Sequence, residues 1–154
     1  MDFIKSTRWL WIFTLLILSG CSSPGPMQQP YGPLYTPVFE PIILATVDDG
    51  SEKIHFKEWT TMYQNNRLQF WGVFFITDHG AYMASWNTAS YEYNLSYKLM
   101  FKDIDSISRD TVERDMWLDS NLLVLTDIAG NSIGFALDRK AAARAIIMDG
   151  MMSK

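Results

Sequence analysis

The chain has 154 residues, 48% of them apolar and 14% aromatic, which is enough for one ordinary domain with a real core. Its 17 acidic and 13 basic residues leave a formal net charge of −4, a balance that argues against nucleic acid, whose binding rests on clustered Lys and Arg. A single cysteine excludes an intrachain disulfide and a thiolate metal cluster.

The chain opens with a basic stretch carrying Lys5 and Arg8, then the apolar run Trp9 to Leu18, then Ser19, Gly20 and Cys21. That order predicts a secretory signal peptide over residues 1–20. The run is too short to span a bilayer, which takes roughly 20 apolar residues. Leu18-Ser19-Gly20-Cys21 resembles the lipobox of bacterial lipoproteins. The resemblance implies diacylglycerol on the Cys21 sulfur, cleavage before Cys21 and acylation of the new amine. Each buried methylene contributes about 0.8 kcal/mol, so two or three chains anchor a protein without a spanning helix. Cleavage would remove Lys5, Arg8 and Asp2, leaving 11 basic against 16 acidic residues and a net charge near −5. Ser22 resembles the sorting position of lipoproteins sent to the outer membrane, where an aspartate tends to mark inner-membrane retention.

All six prolines fall between Ser22 and Pro41, so residues 21–41 are expected to form an extended tether. Tyr31, Tyr35 and Phe39 are unusual in a pure spacer, and its second half has the means to dock on the domain.

Residues 42–150 read as one domain, mostly strands. Ile42–Val47 is a short apolar strand closed by Asp48-Asp49-Gly50. Ile54 to Gln69 alternates poorly, and the spacing of Phe56, Trp59 and Tyr63 favours a short helix with a strand close behind. Phe70–Thr77 is apolar on both faces; it turns at Asp78-His79-Gly80 into Ala81–Trp86. Leu95, Tyr97, Leu99 and Phe101 alternate with polar or flexible neighbours, a half-buried strand. Leu122–Thr126 and Ile133–Leu137 flank a polar turn, and Asp138 is placed to cap a helix from Arg139 to Met148, closed by Gly150.

The segments "GVFFITDHGAYMASW", "YKLMFKDIDSISRD" and "LLVLTDIAGNSIGFAL", followed by a helix, resemble GRAM and related pleckstrin-homology-like (PH-like) domains over residues 70–148. The resemblance implies a mainly β fold with one C-terminal helix, a bent antiparallel sandwich or partly open barrel. Such domains usually bind lipids, peptides or proteins and are not usually catalysts. Phosphoinositide binders use basic residues in an early strand-to-strand loop. The candidate here, Asp48 to Lys53, has one lysine among three acids, so headgroup binding is not carried over.

Catalytic motifs are weak. Gly130-Asn131-Ser132-Ile133-Gly134 matches G-x-S-x-G, but Ser132 opens a strand rather than a helix, and both histidines precede it. Gly130 suits a positive φ in the turn, and Gly134 leaves room on a sheet face. His55, His79 and one adjacent Asp78 do not make a zinc site, which takes three or four converging ligands. Asp48, Asp49 and Glu52 have the spacing of a solvated turn rather than a calcium loop. No metal, cofactor or catalytic residue is expected. Aromatic surface remains: Trp86, Tyr91, Tyr93 and Tyr97 surround a loop of small polar residues, and Trp117 sits among charges. Rigid amphipathic rings suit a protein partner, or else close the domain's own edge. The expectation is an envelope lipoprotein, held to the membrane by acylated Cys21, whose domain binds an envelope protein. A lipid or small hydrophobic ligand carrier and a small structural subunit of an envelope assembly are the alternatives.

Overall fold

The computed structural model describes residues 36–65, 67–87, 92–112 and 120–153. A helix, α1 (Thr36–Val47), precedes seven strands: β1 (Phe56–Gln64), β2 (Arg67–Ile76), β3 (Gly80–Asn87), β4 (Glu92–Met100), β5 (Ile104–Val112), β6 (Ser120–Asp127) and β7 (Ser132–Phe135). A single 3-10 turn, Phe101–Asp103, joins β4 to β5, and α2 (Lys140–Met152) follows β7. The strands form one antiparallel sheet in the order β4-β3-β2-β1-β7-β6-β5, with β4 and β5 as its edges. A mainly β fold with one C-terminal helix was expected and is found.

The main core lies on the sheet face covered by α2. Phe74 sits 4.6 Å from Phe135 between ring centroids, Leu123 and Leu125 join them, and α2 inserts Ala143 and Ile147. α1 covers the opposite face of β2, β3 and β4: Ile43 and Val47 pack with Val73, Phe75, Tyr82, Ala84 and Tyr93. The two-sided apolar character of residues 70–77 therefore reports two covering helices.

Three local expectations are corrected. Ile42–Val47 is helical, despite Pro41 inside α1. An interior Pro costs about 3 kcal/mol by removing a backbone donor and crowding the preceding turn. Full burial of Ile43 and Val47, one helical turn apart, returns roughly 1.5–3 kcal/mol each. Residues 56–64 form β1 instead of a short helix. Phe56 faces the main core while Trp59 packs on the α1 side, so their helical spacing is accidental. Consequently the loop between the first two strands is Gln64-Asn65-Asn66-Arg67, not Asp48–Lys53. Asn65 takes the left-handed conformation there (φ 52°), which Asn tolerates better than most residues.

The third correction is α2. Asp138 does not cap it. No side chain caps it; instead Glu58 of β1 fastens the two residues before it, accepting hydrogen bonds from the backbone N–H of Asp138 and of Arg139 (3.3 Å) and from Arg139 Nε (3.1 Å). Arg139 also lies 4.7 Å over the Phe56 ring. α2 then runs through Gly150 to Met152. A Cβ at position 150 would stand 2.2 Å from Phe101 Cε2, so this glycine serves close packing of helix on ring rather than helix termination.

Candidate functional site

Where α2 crosses the sheet, its last two turns leave a cleft of about 740 Å³ against the β2–β3 turn and the 3-10 turn. Three sequence-distant features build it. Gly150 brings the helix onto Phe101, which with Met100 and Ile146 supplies the apolar surface. The turn Thr77-Asp78-His79 forms a second wall, tied by Phe101 N–H to His79 O (2.9 Å) and Thr77 N–H to Gly80 O (3.0 Å). His55, leading into β1, completes that wall.

His55 Nε2 lies 2.6 Å from Asp78 Oδ1, and Glu52 N–H donates to Asp78 Oδ2 at 3.0 Å. The His55 hydrogen bond is the largest influence and, with the Glu52 N–H, outweighs the opposing effect of burial to hold the Asp78 carboxyl below its usual range. Both Asp78 oxygens are thereby occupied. Two other charged side chains on the cleft, Lys102 and Asp149, are exposed, and neither the ammonium nor the carboxylate has an ion-pair or hydrogen-bond partner among the described residues.

Next to the cleft, Asp49 ties the end of α1 to the sheet. Its Oδ2 accepts from Tyr82 Oη (2.5 Å) and Thr77 Oγ1 (3.0 Å), and its Oδ1 from Ser51 N–H (2.9 Å). Burial alone would raise the Asp49 pKa, but these donors together bring it below the ordinary value. Burial first, then the Asp49 bond and charge, push the Tyr82 hydroxyl far upward. Thr77 Oγ1 also accepts from His79 N–H (3.2 Å), so the α1 latch and the cleft wall share a residue. The acidic loop is thus a structural tie as well as a turn.

The aromatic candidates separate. Tyr93 is 4% exposed and packs under α1. Tyr97 lies on the opposite face, 5.2 Å from the Phe135 ring, with burial and then the Asp127 charge raising its hydroxyl pKa. A bulge opposite Met83/Ala84 causes this: Met83 pairs with Tyr97 and Ala84 with Leu95, leaving Ser96 as the extra residue. Both rings are committed largely to the domain's own interior. Trp86 pairs with Tyr93 through the backbone, while its side chain, Tyr91, Trp117 and Cys21 lie outside the described residues.

The G-x-S-x-G stretch is a hairpin: Gly130 has φ +86°, and a Cβ on Gly134 would stand 2.6 Å from Leu122 Cδ1. Ser132 is bonded to Thr126 Oγ1 (2.9 Å). Among the described residues no group of three or more His, Cys, Asp or Glu is placed to hold a metal, and no helix is long and apolar enough to cross a membrane.

The sequence signalled the Asp78-His79-Gly80 turn but not the cleft. Its partners come from residues 55, 77–79, 100–102 and 145–153, which only the closure of α2 over the sheet brings together.

No family model matches the chain, and no curated protein matches it. Solved structures do. The C-terminal domain of an unknown protein from Leishmania infantum superposes with a TM-score of 0.52 at 14% identity, covering 73% of this chain and 96% of that one. A structure titled as Vav1 inhibited by an allosteric inhibitor gives 0.50 at 10% identity, covering 72% of this chain and 32% of that one. At such identity the likeness concerns the fold alone. With the strand order and closing helix, it makes the fold PH-like.

Proposed function

We propose that the chain is a lipid-anchored envelope lipoprotein whose PH-like domain is a non-catalytic protein-interaction module. The observation that carries the module reading is the cleft beside α2. It is a surface trough with an apolar side and unpaired charges, on a domain whose interior is filled by its own side chains. A trough of this kind offers contact area to another chain. The hydrogen bonds of its His55–Asp78 pair hold a turn in place, and among the described residues no nucleophile is hydrogen-bonded to that pair.

The anchor rests on the sequence: a basic start, an apolar run and Leu18-Ser19-Gly20-Cys21. Acylated Cys21 would hold the domain at the bilayer, and Ser22 favours the outer membrane, facing the periplasm. From Cys21 to Thr36 an extended chain reaches about 45 Å at ~3.1 Å per residue, enough to present the domain to envelope proteins.

In-cell crosslinking of the C-terminally tagged full-length protein, with pull-down and mass spectrometry, tests both parts. A dominant protein partner lost on Cys21→Ser supports an anchored module. Mass spectrometry of the mature N-terminus showing unmodified Cys21 refutes the anchor, and absence of any crosslinked partner refutes the module.

A further inference from the structure

We infer that the cleft beside α2 binds an extended protein segment in which an apolar residue is flanked by one basic and one acidic side chain. This inference rests on the module reading and specifies its partner.

The shape comes first. Ala145, Ile146, Asp149, Gly150 and Ser153 follow helical spacing along one side of α2, and at 1.5 Å per residue they extend about 12 Å. Extended chain rises about 3.3 Å per residue, so the trough takes roughly four residues of a strand-like segment. Its length suits a peptide better than a compact headgroup. Met100 and Ile146 give the central residue an apolar surface, backed by Phe101, which is 5% exposed and held rigid under Gly150.

The charges come second. Asp78 already accepts from His55 and from Glu52 N–H, one bond on each oxygen, so its carboxylate is engaged within the turn. The Asp149 carboxylate, on the helical side, has no partner among the described residues and stands in a last turn that carries no basic residue. The negative end of the helix dipole therefore adds to its carboxylate, and a cation fits there. Lys102 is unpaired on the 3-10 turn across the trough and asks for an anion. A segment bearing only one sign of charge satisfies one group and is repelled by the other.

Three acetylated, amidated hexapeptides with the same aliphatic centre test the pattern. Their flanks are Arg with Glu, Arg with Arg, and Glu with Glu. Each is titrated by NMR into the isotope-labelled full-length chain in detergent micelles, and glycerophosphoethanolamine serves as a zwitterionic headgroup probe. The mixed peptide is expected to shift the amides of Lys102, Ile146 and Gly150 and to bind at least 5-fold tighter than either like-charged peptide. Lys102→Glu and Asp149→Lys should each remove that preference. The double variant should restore it, because an extended peptide can lie in either direction. Equal binding of all three peptides, no saturation by any of them, or saturation by the headgroup probe at similar concentration overturns the inference. A crosslinked partner that persists alongside such a result leaves the module reading intact and removes only this charge pattern.

Discussion

Strands β2 and β5 belong to the same sheet but are held by different means. Residues 72–76 of β2 are all buried, with Phe74 and Ile76 turned to the α2 side and Val73 and Phe75 to α1. On β5, Ile104 is buried and Ile107 half-buried, while Asp105, Ser106 and Ser108 to Thr111 are exposed. Even that spacing of three depends on an irregularity between Ile104 and Ser106, which lets both isoleucines face the core. A strand covered on both faces loses its alternation; of the two edges, β4 lies under α1 and keeps Tyr93, Leu95 and Leu99, whereas β5 keeps only two core-facing isoleucines. Apolar content along a strand therefore measures what covers it.

The largest test breaks the double cover. Phe75→Ala removes a ring stacked 5.4 Å from Tyr82 beneath α1 and should cost about 3–5 kcal/mol in urea unfolding. A loss under 1 kcal/mol would mean that α1 is not part of the cooperative unit. Next, Gly150→Ala should destabilise by about 1–3 kcal/mol through the clash with Phe101, although Ala is the better helix former. A gain in melting temperature would show that helix and ring are not in close contact. Glu58→Ala removes the donor-satisfying carboxylate at the start of α2 and should cost about 1 kcal/mol, with hydrogen exchange rising first in residues 139–142.

Acid should act on the α1 side selectively. Asp49 has a folded pKa below its unfolded value, so its contribution is complete above the unfolded value of about 4 and is lost as pH falls through the folded one. Hydrogen exchange followed from pH 6 down past the unfolded value should therefore show α1 loosening only below about pH 4, and Asp49→Asn should flatten that dependence. The smallest effect belongs to the exposed edge: Ser108→Ala should change stability by less than about 0.5 kcal/mol in the same urea assay.

The cleft was less legible than the fold. Asp78-His79-Gly80 reads as a turn because a short polar stretch with glycine separates two apolar runs, and that much is local. The pairing of Asp78 with His55, 23 positions earlier, is not local, and neither is the meeting of Lys102 with the last turns of α2. Trp59 and Tyr63 point to a helix by spacing, yet Tyr63 lies with Leu122 and Val124 on the outer face of the second half of the sheet. Partners on neighbouring strands, rather than neighbours in sequence, decide such residues.

By itself the sequence determined the β2–β3 and β6–β7 hairpins, the strand between them that carries Leu95 to Leu99, and the closing helix, because turn residues and runs of alternating or doubly apolar side chains act over a few positions. It also carries the N-terminal stretch on which the proposed anchor rests. Tertiary structure decided that Ile43 and Val47 form a helical face, that Glu58 holds the residues leading into α2, that Gly150 lies on Phe101 and that Lys102 and Asp149 line one trough. Each of these depends on groups brought together across tens of residues, where burial and hydrogen bonding outweigh local preference.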